Sequence, residues 1–259
     1  MRGVSFHLAK SLRVRRGRSR RRTRPAAWCN TMVTGWSSPG DVTACTVPVV
    51  ITIVVRIWMP DRPGALGQVA SRIGSVRGDV LAIEILEQGG GRAVDELTVS
   101  LPDDDLIGLL TAEIDAVDGV SVESIRVVDP DRTDASLSAL ALGAAIAESR
   151  PDERLDVMIA GLRRFAETDW VMVLRDGEPI AQVGIPPDIE WLMAFLAGSE
   201  HLDGLDDSAP SDLLWGRMAA SSITVAAGRI DNPIHERERV RFSLLLRLAD
   251  ALVSRHPVA

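Results

Sequence analysis

The sequence predicts an α+β protein: a four-stranded antiparallel sheet with two helices on one face, followed by a second, smaller α/β domain. Three observations predict it. Pro48–Trp58 is a β-branched apolar run, two alternating segments flank Gly89-Gly90-Gly91, and each of two helical stripes is followed by another strand pattern.

The run Pro48–Trp58 is far short of the ~20 residues of a membrane span and has no helical stripe, so it reads as a central strand buried on both faces. Trp58-Met59-Pro60-Asp61-Arg62-Pro63-Gly64-Ala65-Leu66 then joins it to a helix running to about Val76. Each proline pushes the residue before it away from helical angles. Pro63 suits a first helical turn, where its missing N–H is not needed, and Asp61 can cap that turn. Leu66, Val69, Ala70 and Ile73 share one face. Asp79–Glu87 alternates, with Leu81, Ile83 and Ile85 on one side. The triple glycine is a hairpin turn, and Ala93–Leu101 returns with Leu97, Val99 and Leu101 inward. Asp103, Asp104 and Asp105 place acidic groups at the positive end of a second helix, whose apolar face is Leu106, Leu109, Leu110, Ile114 and Val117. Val120–Val128 is the last strand, with Val120, Val122, Ile125 and Val127. This order, βαββαβ over about 80 residues, is the ferredoxin-like pattern.

Residues 129–136 are polar and read as a linker, and Leu137–Ser149 is an Ala/Leu helix apolar nearly all round, which must pack against something. A helix from Pro151 carries Leu155, Ile159, Leu162 and Phe165. Asp169–Leu174 and Glu178–Ile185 flank the hairpin Arg175-Asp176-Gly177. Pro187-Asp188 begins a helix with Trp191, Leu192 and Phe195. Residues 198–211 are an acidic loop, and Asp212–Ala219 and Ser222–Arg229 a second strand pair. Asn232-Pro233 is expected to cap the last helix, with Val240, Leu244, Leu245, Leu248 and Leu252 on its buried face. The domains are therefore expected at 47–129 and 151–259, joined by a linker and helix at 130–150.

Ten of the 29 basic residues lie in residues 1–24, which contain no acid; the rest of the chain carries 19 bases against 36 acids. An acidic body repels phosphate backbones, so nucleic acid is not its expected partner. Residues 1–46 cannot bury their charges and are expected to be disordered. They read as a nucleic-acid arm, a membrane-surface tail, a targeting peptide or an over-long reading frame, with Met32 or a later codon as the true start. No secretory signal fits, because no apolar core follows the charges. Lys10 is the only lysine and tyrosine is absent, the bias of a high-GC genome. Cys29 and Cys45 match no zinc or Cys-x-x-Cys spacing, and His7, His201, His235 and His256 are scattered.

On the motif Asp61-Arg62-Pro63-Gly64-Ala65-Leu66, placed directly after the first strand and followed by this element order, residues 49–128 resemble the ACT domain, a small-molecule-binding regulatory module. The resemblance implies a homodimer and an amino acid bound where this loop meets a neighbouring subunit. Asp61, Pro63, Gly64, Ala65 and Leu66 would line the site, and Arg62 could reach a carboxylate. Gly64 lets backbone N–H groups approach a ligand closely. Residues 150–255 resemble a reduced GAF-like domain, on the element order and on Asn232-Pro233-Ile234-His235-Glu236-Arg237-Glu238. No chromophore cysteine or nucleotide signature accompanies it. The pairing resembles a group of uncharacterised actinobacterial proteins.

Each residue also has a plainer reading. Asp61 and Gly64 can serve only a turn and cap, and Arg62 can be a solvated loop residue. Trp58 and Met59 can flank a pocket or close the strand end. Trp170, Trp191 and Trp215 read as core, and His235 reads as surface. The sequence has no Gly-x-Ser-x-Gly elbow, phosphate loop or His-Glu-x-x-His. Asp206-Asp207 and Asp103-Asp104-Asp105 lack an accompanying nucleophile or orienting group. The expectation is a cytoplasmic, non-enzymatic regulatory homodimer that binds an amino acid or similar small molecule, with no cofactor, metal or catalytic residue and no membrane contact. The alternatives are a dimerising protein-interaction module without a ligand and, behind it, an enzyme completed by a partner chain.

Overall fold

The computed structural model describes residues 50–199, 212–230 and 232–254. Residues 47–259 form one compact unit. The basic segment 1–46 and most of the acidic loop fall outside the described residues.

The first half is β1 (Ile51–Pro60), α1 (Ala65–Ser75), β2 (Asp79–Gly89), β3 (Arg92–Leu101), α2 (Ile107–Asp115) and β4 (Ser121–Val128). All pairings are antiparallel and the strand order is β2-β3-β1-β4, the ferredoxin-like arrangement. The apolar run is central, as its burial on both faces requires. Ile53, Val55, Ile57 and Met59 of β1 and Leu97, Val99 and Leu101 of β3 pack against Ala65, Val69 and Ile73 of α1 and Leu110 and Ile114 of α2. Gly90 (φ 59°) and Gly91 (φ 76°) make the β2–β3 turn left-handed at both central positions, which suits the twist of the strands.

The second half is α3 (Ala135–Glu148), α4 (Arg154–Phe165), β5 (Trp170–Arg175), β6 (Glu178–Val183), α5 (Ile189–Ser199), β7 (Leu213–Met218), β8 (Ile223–Gly228) and α6 (Glu236–Val253). Its sheet is antiparallel, ordered β6-β5-β8-β7. One face, through Val171, Val173, Leu214, Ile223 and Val225, packs on α3, α4 and α6. The other, through Trp170, Met172, Leu174, Leu213 and Ala226, packs on Leu192 of α5.

Five expectations need correction. Leu109 is exposed because α2 turns Leu110 and Ile114 to the sheet instead, and Val127 is exposed on the edge strand β4. Leu81, Ile83 and Ile85 are exposed on the edge strand β2. Trp191 is exposed and stacks on Phe195, with ring centroids 5.7 Å apart, while Trp170 is core. On α6 the buried apolar residues are Phe242, Leu245, Leu246 and Ala249; Val240, Leu244 and Leu248 face outward. Asn232-Pro233 does not cap that helix. His235 is its N-cap, in a capping box with Glu238, because Asn232 and Pro233 are drawn to Arg56.

Arg56 sits in the centre of β1, 1% exposed, on the face opposite α1 and α2. Its Nε donates to Glu96 Oε2 at 2.8 Å, its Nη2 to Glu238 Oε1 at 2.8 Å and its Nη1 to the Pro233 carbonyl at 2.9 Å. Arg229 donates to the same Glu238 oxygen at 2.7 Å and to the Ala166 carbonyl at 2.6 Å. Arg126 and Arg132 each bridge Glu96 to Glu167. The two sheets therefore meet across a buried ionic network, with α6 supplying the central carboxylate.

Burial alone would raise the Glu238 carboxyl, but the Arg229 and Arg56 guanidinium groups draw it down to about 2. A depressed carboxylate contributes stability that is complete above its unfolded value near 4.5 and is lost as pH falls toward 2. Glu238→Gln strands two buried guanidinium groups and weakens the capping box, so it should cost about 3–5 kcal/mol in urea denaturation at neutral pH. The gap to the unaltered chain should narrow as the pH falls through that window.

Candidate functional site

The loop between β1 and α1 is held from below. The Asp61 N–H donates to the Gly91 carbonyl at 3.0 Å, tying the loop to the β2–β3 turn. Gly64 is the N-cap of α1, with φ 87° in the left-handed region, where a side chain would be strained. No side chain caps this helix. The expected Asp61 cap is thus replaced by a backbone reversal at Gly64, which leaves Pro63 ahead of the helix rather than in its first turn. Asp61, Arg62, Pro63 and Gly64 are exposed, Leu66 is half-buried, and Ala65 is buried in the core beneath the loop. The Ala65 N–H donates to the Arg62 carbonyl at 3.2 Å. Among the described residues no acceptor meets the N–H of Gly64, Leu66 or Gly67. The loop therefore presents free helix N–H donors at its surface, an arrangement that suits a carboxylate.

Sequence reasoning missed the acidic residue beneath it. Asp95 lies in β3 opposite Ile57, 4% exposed, and its Oδ1 has no hydrogen-bond partner. Burial pushes its carboxyl up, and the nearby charge of Asp61 pushes it further. Its signal in the sequence is an aspartate at an inward position of an alternating strand, in register with Leu97 and Val99.

A second concave site lies between the halves, a cavity of about 440 Å³ walled by the Arg56 network. Five arginines (Arg56, Arg132, Arg164, Arg229 and Arg241) and six acids (Glu84, Glu96, Asp129, Asp131, Glu167 and Glu238) line it. Their charges nearly cancel, the acids outnumbering the arginines by one. None of residues 61–66 reaches it.

His235, expected at the surface, is 4% exposed and clamps the halves together. Its Nδ1 lies 3.0 Å from Glu87 of β2 and its Nε2 2.8 Å from Glu123 of β4, while Glu238 accepts from its backbone N–H at 3.0 Å. Trp58 donates to Glu123 at 2.8 Å and meets the imidazole edge-on, so it belongs to the contact between the halves, whereas Met59 is core beneath α1 and α2. Asp103, Asp104 and Asp105 have carboxylate oxygens within 4.8 Å of one another but are exposed; Asp103 caps the turn leading into α2. Among the described residues no helix is long and apolar enough to cross a membrane.

No described family and no characterised protein matches the sequence. Among solved structures the chain is similar to the ACT domain of a GTP pyrophosphokinase from Chlorobium tepidum, at 16% identity over 33% of this chain and 93% of that one, with a TM-score of 0.26. It is similar to an uncharacterised protein from Thermotoga maritima, at 22% identity over 31% of this chain and 99% of that one, TM-score 0.26. It is also similar to an unknown protein from Galdieria sulphuraria, at 14% identity over 70% of this chain and 99% of that one, TM-score 0.27. The ferredoxin-like topology of residues 51–128 rests on their own strand order and register.

Two outcomes follow from these charges. Asp95→Asn removes a buried acid whose Oδ1 has no partner and which Asp61 repels, so it should stabilise the fold at neutral pH by about 1 kcal/mol, read from thermal or urea unfolding. For His235, burial would lower the imidazole value, but the hydrogen bonds to Glu123 and Glu87 raise it above the usual 6.5. A raised histidine contributes stability that is present in full below the unfolded value and lost as pH climbs through the folded one. Urea midpoints should therefore fall as the pH rises above the ordinary imidazole value of about 6.5, and His235→Gln should flatten that part of the profile.

Proposed function

We propose that the chain is a non-enzymatic regulatory protein that binds an amino acid or similar small zwitterion through Asp61, Arg62, Pro63, Gly64, Ala65 and Leu66, and that it works as a homodimer. The observation that carries this reading is the uncapped helix N–H donors at Gly64 together with the buried Asp95 carboxylate, whose Oδ1 has no partner, near the charge of Asp61. The donors suit a carboxylate, and Asp95 with Asp61 suits an ammonium group. A cation arriving there would compensate the repulsion between the two aspartates. The second half, GAF-like in this reading, is the reporter. Ligand bound at the end of β1 acts by linkage on the Arg56 and Trp58 contacts of the same strand, to the extent that it binds one arrangement of the halves better than another. In the alternative, a dimerising module without a ligand, the same loop is only a helix start.

A thermal-shift screen with the common amino acids separates the two. A ligand at 100 times its dissociation constant adds about 2.7 kcal/mol of apparent stability. The expected result is a shift with one amino acid or a small group of them, abolished by Gly64→Val and by Asp95→Asn. A folded dimer showing no shift with any of them at millimolar concentration would sink the ligand reading and leave the interaction module.

A further inference from the structure

The outward stripe of α6 does not stand alone. Leu248 lies against α3 at Gly143, where a Cβ added to the glycine would come within 2.6 Å of the leucine Cδ2. Leu137 (57% exposed) and Leu140 (66%) of α3, the helix against which Leu248 lies, are exposed, as are Val240 (51%), Leu244 (54%) and Leu248 (42%) of α6. Ala141 and Ala144 are exposed on α3 as well, and α3 has no charged residue between Ala135 and Ala147. At its upper end the surface runs into a groove of about 580 Å³ lined by Ser136, Val240, Leu244 and Ile85 of the edge strand β2. Arg237 and Arg241, held by Glu84, form its rim on one flank.

We infer that this two-helix face is where a second copy of the chain docks. Five half-exposed aliphatic side chains and two alanines amount to roughly 500 Å², at the upper end of the roughly 300–600 Å² apolar patches of monomers. Two such faces meeting bury on the order of 1,000 Å², the size at which specific interfaces begin. The charge pattern selects a like partner. Beyond residue 24 the chain carries 19 bases against 36 acids, so two copies repel over most of their surface. They can approach closely where acids are few or answered by bases: α3 carries none between Ala135 and Ala147, and at the groove Glu87 and Glu236 stand beside Arg237 and Arg241. A two-fold axis sets the α3 stripe of one copy on the α6 stripe of the other, making a four-helix layer with the charges at its rim.

The inference concerns assembly and does not depend on an amino acid being bound. Sedimentation velocity on the full chain across the micromolar range should show a dimer. Leu140→Glu with Leu244→Glu, both at exposed positions, should shift it to monomer with the same circular dichroism spectrum, whereas Leu109→Glu on α2 should leave it dimeric. A wild-type chain that stays monomeric to high micromolar concentration overturns the proposal, and so does a dimer indifferent to the double substitution. Should the double variant not fold, carbene footprinting of the unaltered chain decides. Labelling at Leu137, Leu140 and Leu244 should fall as the chain is concentrated, and unchanged labelling overturns the proposal.

Discussion

The arrangement of the two halves depends on one buried guanidinium. Arg56 cannot shed its proton inside a protein, and it occupies the middle of the central strand of the first sheet. Left alone there it would cost several kcal/mol of lost solvation. Glu96, next to it on β3, answers part of that charge from within the same sheet. The rest comes from Glu238, Asn232 and the Pro233 carbonyl, all in the other half. Separating the halves would expose this face of β1 to solvent and leave Glu238 with Arg229 in place of two guanidinium partners. Such a network adds little net stability compared with a well-packed apolar contact, but it penalises any other docking geometry steeply.

The same constraint explains the start of α6. Asn232-Pro233 has the chemistry of a helix cap, yet its polar groups are committed to Arg56, so the chain continues to His235 before turning helical. That delay brings the imidazole between Glu87 and Glu123, one on each outer strand of the first sheet. α6 thereby serves three neighbours at once: its N-terminus grips the first sheet, Phe242, Leu245, Leu246 and Ala249 fill the second core, and Val240, Leu244 and Leu248 remain outside.

Local pattern and tertiary partner are not equally legible in the sequence. The β-branched run, the glycine turns at 89–91 and 175–177 and the stripes of α1 and α4 give strand and helix directly, because period and turn chemistry are local properties. Arg56 stands in plain view in an apolar run, but alternation assigns a face and not a partner, and its partners are 40 and 182 residues away. His235 reads as surface for the same reason. On α6 the residues at 240, 244 and 248 make as regular a stripe as those at 242, 245, 246 and 249, and only the position of the second sheet decides between them. At the loop, the glycine and prolines mark the helix start, whereas the bare N-terminus and the unpartnered Asp95 become visible only once β3 lies beside β1.

Asp95 and Arg56 are a contrast within one sheet. Both are buried ionisable groups one strand apart, on opposite faces. The face toward the second half answers its charges with partners: Arg56 by Glu96 and Glu238, His235 by Glu87 and Glu123. The face toward α1 leaves an Asp95 oxygen with none, close enough to Asp61 for the two to repel. Packing offers no gain from that arrangement, since an apolar residue at position 95 would extend the stripe of Leu97, Val99 and Leu101 and join the core. Such a group is a local departure from the consistency that holds elsewhere in the first core. The uncapped start of α1 at Gly64 lies near it, so an unmet acceptor and a set of unmet donors fall around one loop, at the end of the strand that carries Arg56, while the other unpaired buried atoms, on Ser124, Arg126, Arg154 and Thr168, lie apart from it.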